Sequence, residues 1–178
     1  MQFSVARESL LKPLQMISGV VERRQTLPIL SNVHVSLDNS ELLLTGTDLE
    51  VELAGKIKVD TANSGGEITV PARKLFDICK SLPDNSLIEF IISENKCLVN
   101  SGRSKFSLLT LPATEFPKVV EEQETLSFEL SQARLKDLIE ATSFAMAQQD
   151  VRYYLNGMLF EIAHQTLKLV ATDGHRLA

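Results

Sequence analysis

With 178 residues, 44% hydrophobic and 23% charged, the chain can bury the core of one or two domains, and its mean hydropathy near zero is that of a globular protein. No apolar run approaches the roughly 18 residues of a membrane span, and residues 1–8 lack the basic and apolar segments of a signal peptide, so no membrane partner and a cytoplasmic location are expected. A net charge of −5 argues against indiscriminate nucleic-acid binding, which depends on phosphate neutralisation, but leaves room for a local basic face.

Phe3-Ser4-Val5 predicts a strand, and residues 7–21 predict a helix with Leu10, Leu11, Leu14, Ile17 and Val21 on one face. Pro13 implies a later start or a kink in that helix. Residues 22–28 read as a loop. Residues 32–37 and 41–45 form a β-hairpin around Asp38-Asn39, and 49–59 alternate as a further strand. Residues 63–66 are a loop and 68–70 a strand. Pro71 suits the first position of a second helix, whose stripe is Leu75, Phe76, Ile78, Cys79 and Leu82. Strands follow at 87–92, 96–100 and 105–111. Residues 112–124 then lose periodicity and read as a linker, which places a boundary between a first domain, 1–125, and a second, 126–178. The second opens with a strand at 126–130 and a helix capped by Ser131 that runs to Met146. A loop at 148–152 and a hairpin of 156–162 with 167–171 complete it. Cys79 and Cys97, in apolar settings without a CxxC partner, are expected as buried, reduced thiols.

Leu42, Leu44, Thr47 and Asp48 stand 125 positions before Leu167, Leu169, Thr172 and Asp173. Only 8 of the 51 pairs from Phe3 to Leu53 are identical at that offset, so identity alone is weak. What carries the repeat is that strand, helix, loop and hairpin recur in one register, the mark of a duplicated domain. The second copy lacks counterparts of residues 54–111, so the chain is expected to be a fragment of a longer protein.

Neither GxxxxGK[ST] nor GxGxxG occurs, and nucleotide hydrolysis is not expected. Asp48, Asp173 and His175 could serve a small metal-dependent hydrolase, although Thr-Asp at a strand end has a plainer reading as a side-chain-capped turn. His34 and His164 read as surface or edge residues. Arg7, Lys12, Arg23, Arg24, Arg73, Lys80, Arg134 and Lys136 lie on or beside helix faces turned from the core, which fits either solvated helices or a nucleic-acid binder. Tyr153-Tyr154, read as a strand, would place one ring inward and one outward, which favours a core-and-rim role over the alternative of base stacking.

Thr26-Leu27-Pro28-Ile29-Leu30, Leu44-Thr45-Gly46-Thr47-Asp48-Leu49-Glu50, Val70-Pro71-Ala72-Arg73-Lys74, Asn100-Ser101-Gly102-Arg103-Ser104, Gln149-Asp150-Val151-Arg152-Tyr153-Tyr154-Leu155-Asn156-Gly157 and Ala171-Thr172-Asp173-Gly174-His175-Arg176-Leu177-Ala178 resemble the bacterial DNA sliding-clamp family, the β subunit of DNA polymerase III. The resemblance covers the whole chain. It implies an α+β DNA-clamp fold of repeated domains with outer β-sheets and inner helices, three per chain, in a homodimeric ring around double-stranded DNA. It implies no catalysis, cofactor or metal. By matching position, Arg24, Arg73 and Gln149 would touch the duplex, and Tyr153 and Tyr154 the single-stranded template. Leu155, Thr172, Gly174, His175, Arg176 and Leu177 would form one wall of a pocket for short peptides from DNA polymerase III and other polymerases, the clamp loader and repair proteins. Lys74, Ile78, Phe106 and Leu108 would meet the partner chain's third domain. Without a third domain, these 178 residues are expected to bind such peptides weakly and not to close a ring.

Overall fold

The computed structural model describes residues 1–21, 27–117 and 127–178. β1 (Gln2–Ala6) passes directly into α1 (Arg7–Val20), where the Arg7 N–H, having no acceptor in its own helix, donates to Ser86 O at 2.9 Å. α1 buries Leu10, Leu14 and Ile17 at the expected spacing. Pro13 does not delay it. The helix already runs at Arg7, and the proline ring packs against Gly55 of the neighbouring sheet.

β2 (Asn32–Asp38) and β3 (Glu41–Thr47) form the expected hairpin. The next strand begins later than its alternation suggests, as β4 (Glu52–Lys58). The cause is Asp48, whose Oδ1 accepts from Glu50 N at 2.9 Å and Val51 N at 2.7 Å and holds the chain out of the sheet, leaving Leu49 and Val51 exposed. β5 (Thr61–Ser64) occupies residues partly read as loop; it lacks apolar alternation and forms by pairing with β1 at a sheet edge. β6 (Gly66–Pro71), α2 (Ala72–Ser81), β7 (Leu87–Ser93), β8 (Lys96–Ser101) and β9 (Ser104–Leu109) follow at bounds close to those predicted.

The chain divides into two compact units, Met1–Glu121 and Glu122–Ala178. In the first, antiparallel sheets of order β5-β1-β7-β8-β9 and β4-β3-β2-β6 share one core with both helices, built on residues such as Val5, Leu14, Leu44, Leu75 and Ile88. Burial pushes the thiols of Cys79 and Cys97 up to about 12, so both are inert in this core. The first part of the expected linker is not loose. Just ahead of it Leu111, expected in the strand that ends at Leu109, bridges to Thr69; residues Ala113–Glu115 make a 3₁₀ turn, and Phe116 packs on Ile29 and Leu30 and stacks on His34 at 5.2 Å. That cover corrects the surface reading of His34, which is buried with Nε2 3.3 Å from Glu67 Oε2.

In the second unit, α3 (Gln132–Thr142) is capped as expected, with Ser131 Oγ accepting from Arg134 N at 3.3 Å. It stops before Met146. Thr142 Oγ1 donates back to Leu138 O at 2.9 Å, and a 3₁₀ turn, Ser143–Ala145, takes over. A second 3₁₀ turn, Tyr153–Asn156, precedes β10 (Leu159–Ala163) and β11 (Thr166–Val170). Of the strand expected at 126–130, residue 126 lies outside the described residues and 127–130 form no strand. The matching β1 is held by β5 and β7, whereas the described strands of the second unit are β10 and β11, which pair with each other. Among the described residues no helix is long and apolar enough to cross a membrane.

The 125-residue repeat extends to the register of individual cross-strand pairs. Val35↔Leu44 becomes Phe160↔Leu169, Leu37↔Leu42 becomes Ile162↔Leu167, and Asp38↔Glu41 becomes Ala163↔Thr166. The 3₁₀ turn Pro28–Ser31 maps onto Tyr153–Asn156, and Asn39 onto His164, each at positive φ in its hairpin turn.

Candidate nucleic-acid and peptide surfaces

Asp48 and Asp173 perform the same task in their two copies. Asp173 Oδ1 accepts from His175 N at 2.9 Å and Arg176 N at 3.0 Å, as Asp48 does two and three residues on. Thr172 Oγ1 accepts from Gly174 N at 3.1 Å, as Thr47 Oγ1 does from Leu49 N at 3.0 Å. These amide bonds hold both carboxyls below the usual carboxylate range. Both aspartates are turn caps, then, and among the described residues no three His, Cys, Asp or Glu side chains are grouped to hold a metal ion. Within the second unit Asp173 and His175 meet as a cap and a residue it caps, which is the plainer of the two readings.

The turn at 172–177 is closed by backbone bonds between Ala171 and Ala178 in both directions at 3.0 Å, and by Thr172 Oγ1 donating to Arg176 O at 2.6 Å. Its outer side chains are presented to solvent: Gly174, His175, Arg176 and Leu177 are exposed, and Thr172 is half-buried. Arg176 Nε donates to Asp173 Oδ2 at 2.9 Å, while its guanidinium lies 5.8 Å over the exposed Phe144 ring.

Beside this turn runs the loop 148–156. Gln149 sits at its tip with φ 57°, exposed. Asp150 and Arg152 pair twice, Nε to Oδ1 at 3.1 Å and Nη2 to Oδ2 at 2.8 Å, and the Arg152 guanidinium holds the Asp150 carboxyl down at about 2. Asn156 fastens the loop root through both amide atoms, accepting from Asp150 N and donating to Asp150 O at 3.0 Å each. Tyr153 and Tyr154 are in the 3₁₀ turn rather than a strand, with centroids 6.0 Å apart and planes at 78°. Both rings are exposed, at 82% and 67%, which corrects the core-and-rim reading. Leu155 is half-buried below them. Loop and turn together border an open hollow of about 660 Å³ that takes in Phe144, Gln149, Arg152, His175 and Arg176.

In the first unit, Arg24 lies outside the described residues. Arg73, exposed at the start of α2, donates from Nη2 to Val21 O at 3.2 Å, just past the end of α1. Arg7, at the start of α1, returns the contact. Its Nε donates to Cys79 O in the last turn of α2 at 2.8 Å, and its Nη1 to Asp84 Oδ1 at 2.7 Å. Each helix thus supplies an arginine to the other's orphan carbonyls, and Arg7, its side chain 12% exposed, is a structural cap rather than part of a free basic face. Lys74 is exposed and Ile78 half-buried on α2. Phe106 packs on the core and Leu108 is within it, so the side chains that edge strand β9 turns to solvent are Lys105, Ser107 and Leu109.

Comparison with known proteins places this geometry. The model of the DNA polymerase III beta subunit N-terminal domain matches residues 1–120, and that of the central domain matches 129–178. The chain belongs to the DNA polymerase III beta-subunit family. A family member from Pseudomonas putida, named beta sliding clamp, is 61% identical over all 178 residues, which cover 48% of that relative. Its Escherichia coli counterpart is 53% identical, with 49% of it covered. A crystal structure of the DNA polymerase III subunit beta from Pseudomonas aeruginosa superposes with a TM-score of 0.95 at 60% identity, over 99% of this chain and 48% of that one. The chain spans about half the length of the curated relatives it matches.

Sequence reasoning did not single out Phe144, Asp150 or Arg152. A signal was available in the repeat, since these stand where the first copy of the family frame has Gly19, Gln25 and Leu27.

Proposed function

We propose that this chain is the N-terminal portion of a sliding clamp, a non-enzymatic processivity factor that encircles duplex DNA and tethers a replicative polymerase to it in the cytoplasm. The observation that carries this is membership of the beta-subunit family over the entire chain, in a fold whose two copies keep one register. The whole protein would be a ring of two chains with three copies of the domain in each. Arg24, Arg73 and Gln149 make loose phosphate contacts that read no sequence, and Tyr153 and Tyr154 offer faces on which unpaired bases stack. Supporting this are the exposure of both tyrosines, of Arg73 and of Gln149, and the equivalence of Arg24 with Gln149 at the 125-residue offset. An acidic molecule with a basic lining repels DNA everywhere except in the hole. The turn formed by Thr172, Gly174, His175, Arg176 and Leu177, with Leu155, is one wall for an apolar peptide anchor from polymerases, the clamp loader or repair proteins. The ring joint uses the first unit's edge around α2 and β9, with Lys74 and Ile78 on its surface and Phe106 and Leu108 supporting it from below.

Retention on DNA tests the topology. The full-length protein, once loaded, is expected to stay on circular duplex through a high-salt wash and to be lost when the circle is cut once; equal loss from both forms sinks the reading. Equilibrium binding tests the lining. Arg24→Ala is expected to weaken binding alike on all sequences and to lower the slope of log K against log salt by roughly 0.9, one contact's worth, and an unchanged slope removes Arg24 from the lining.

A further inference from the structure

Gly174 raises a question that its backbone does not answer. Its φ of +87° is a conformation that favours glycine, yet the equivalent residue, Leu49, holds φ +79° in the same hydrogen-bonded turn with a full side chain. The turn therefore does not demand glycine. What differs between the copies is the neighbour. A Cβ on Gly174 would stand 3.3 Å from Arg152 Nη1 and 3.5 Å from Nη2, whereas a Cβ is accommodated at Leu49, where the counterpart of Arg152 is Leu27. Arg152 also donates from Nη2 to Asp173 O at 3.5 Å, and it is itself oriented by the two-point pair with Asp150.

We infer that Arg152 is a positioning residue for the peptide-docking turn at 172–177: braced by Asp150, its guanidinium lies against Gly174 and Asp173 and fixes the turn relative to the 148–156 loop. The inference rests on the docking function proposed above. It makes Gly174 the space that admits Arg152, and it places one side chain between the loop that carries Gln149, Tyr153 and Tyr154 and the wall that receives the anchor. Neither member of the brace has a counterpart in the first copy, where Gln25 and Leu27 take their places, although the Thr-Asp turn is retained. The brace is thus dispensable for the turn's hydrogen bonds and specific to the copy proposed to dock partners.

The test is fluorescence anisotropy of a labelled peptide bearing a Leu-Phe anchor, titrated with the full-length protein. Arg152→Ala is expected to raise Kd by roughly five- to tenfold with an unchanged melting temperature, the scale of coupling between side chains in contact. Arg152→Lys, which keeps the charge but not the two-point geometry, should fall between. Asp150→Asn should raise Kd in the same direction and serves as the second variant should Arg152→Ala fail to fold. Gly174→Ala should raise Kd in the unaltered protein and add less than about twofold in the Arg152→Ala background, because the crowding partner is gone. If the unaltered protein binds and Arg152→Ala and Asp150→Asn both bind as well as it does, or if Gly174→Ala costs the same in both backgrounds, the positioning role is overturned. If the unaltered protein binds no peptide, it is the docking function itself that fails.

Discussion

Gly46→Val is expected to cost the first unit at least about 3 kcal/mol, the upper end of what inserting extra carbons into a packed core costs. Gly46 lies on β3 under α1, and a Cβ built there falls inside van der Waals contact of Ile17 Cγ2 and 3.4 Å from Val21 Cγ2. Ile17 and Val21 are 2% and 1% exposed, so neither has solvent to move into, and a close-packed interior transmits the strain to the helix and strand themselves. In the second copy the residues at the same two positions change in opposite directions. There Ala171 replaces Gly46 and Thr142 replaces Ile17, so the two positions exchange volume while the frame is kept. A double-mutant cycle in urea follows from this. Gly46→Ala alone should cost about 1–3 kcal/mol, and distinctly less in the Ile17→Ala background. An equal cost in both would mean that the helix-to-sheet distance, rather than this pair, sets the glycine.

The duplicated frame was legible because its signals are local and chemically definite. Thr47-Asp48 and Thr172-Asp173 cap turns through their own side chains, and the alternation of Leu42 with Leu44 and of Leu167 with Leu169 marks strands whatever surrounds them. The features that escaped depend on partners distant in the chain. β5 has no pattern of its own and is a strand because β1 lies alongside. His34 looks like an edge residue until Phe116, far along the chain, folds over it. Arg7 reads as a free cation on a helix face, and only packing shows that it faces the carbonyl ends of α2. For the candidate sites, resemblance pointed to Gly174, His175 and Arg176 by motif. It did not lead to Arg152, whose contact with Gly174 crosses between two loops.

Cut from the chain, residues 122–178 are expected to show no cooperative melt, whereas residues 1–121 should melt cooperatively as they do in the intact chain. Among the described residues of the second unit, Ala145, Leu169 and Ala171 alone are buried, and α3 buries none. Phe160 and Ile162 are 48% and 44% exposed where their first-copy equivalents Val35 and Leu37 are 4% and 3%. The difference comes from the neighbours, since the residue types are equally apolar. β2 has β6 on its far side and a core shared with α2, while β10 pairs with β11 alone among the described strands, and an isolated two-stranded hairpin is marginal in water. Ordering costs about 1–2 kcal/mol of backbone entropy per residue, and the few buried side chains here do not offset it, so unfolding of the excised unit should be favourable at room temperature. The first unit contributes its own core. Far-UV circular dichroism against temperature on the two pieces decides the matter. A sigmoidal melt from residues 122–178 would show that the hairpin and α3 find enough mutual cover, and that the exposure of Phe160 and Ile162 does not set the stability of that unit.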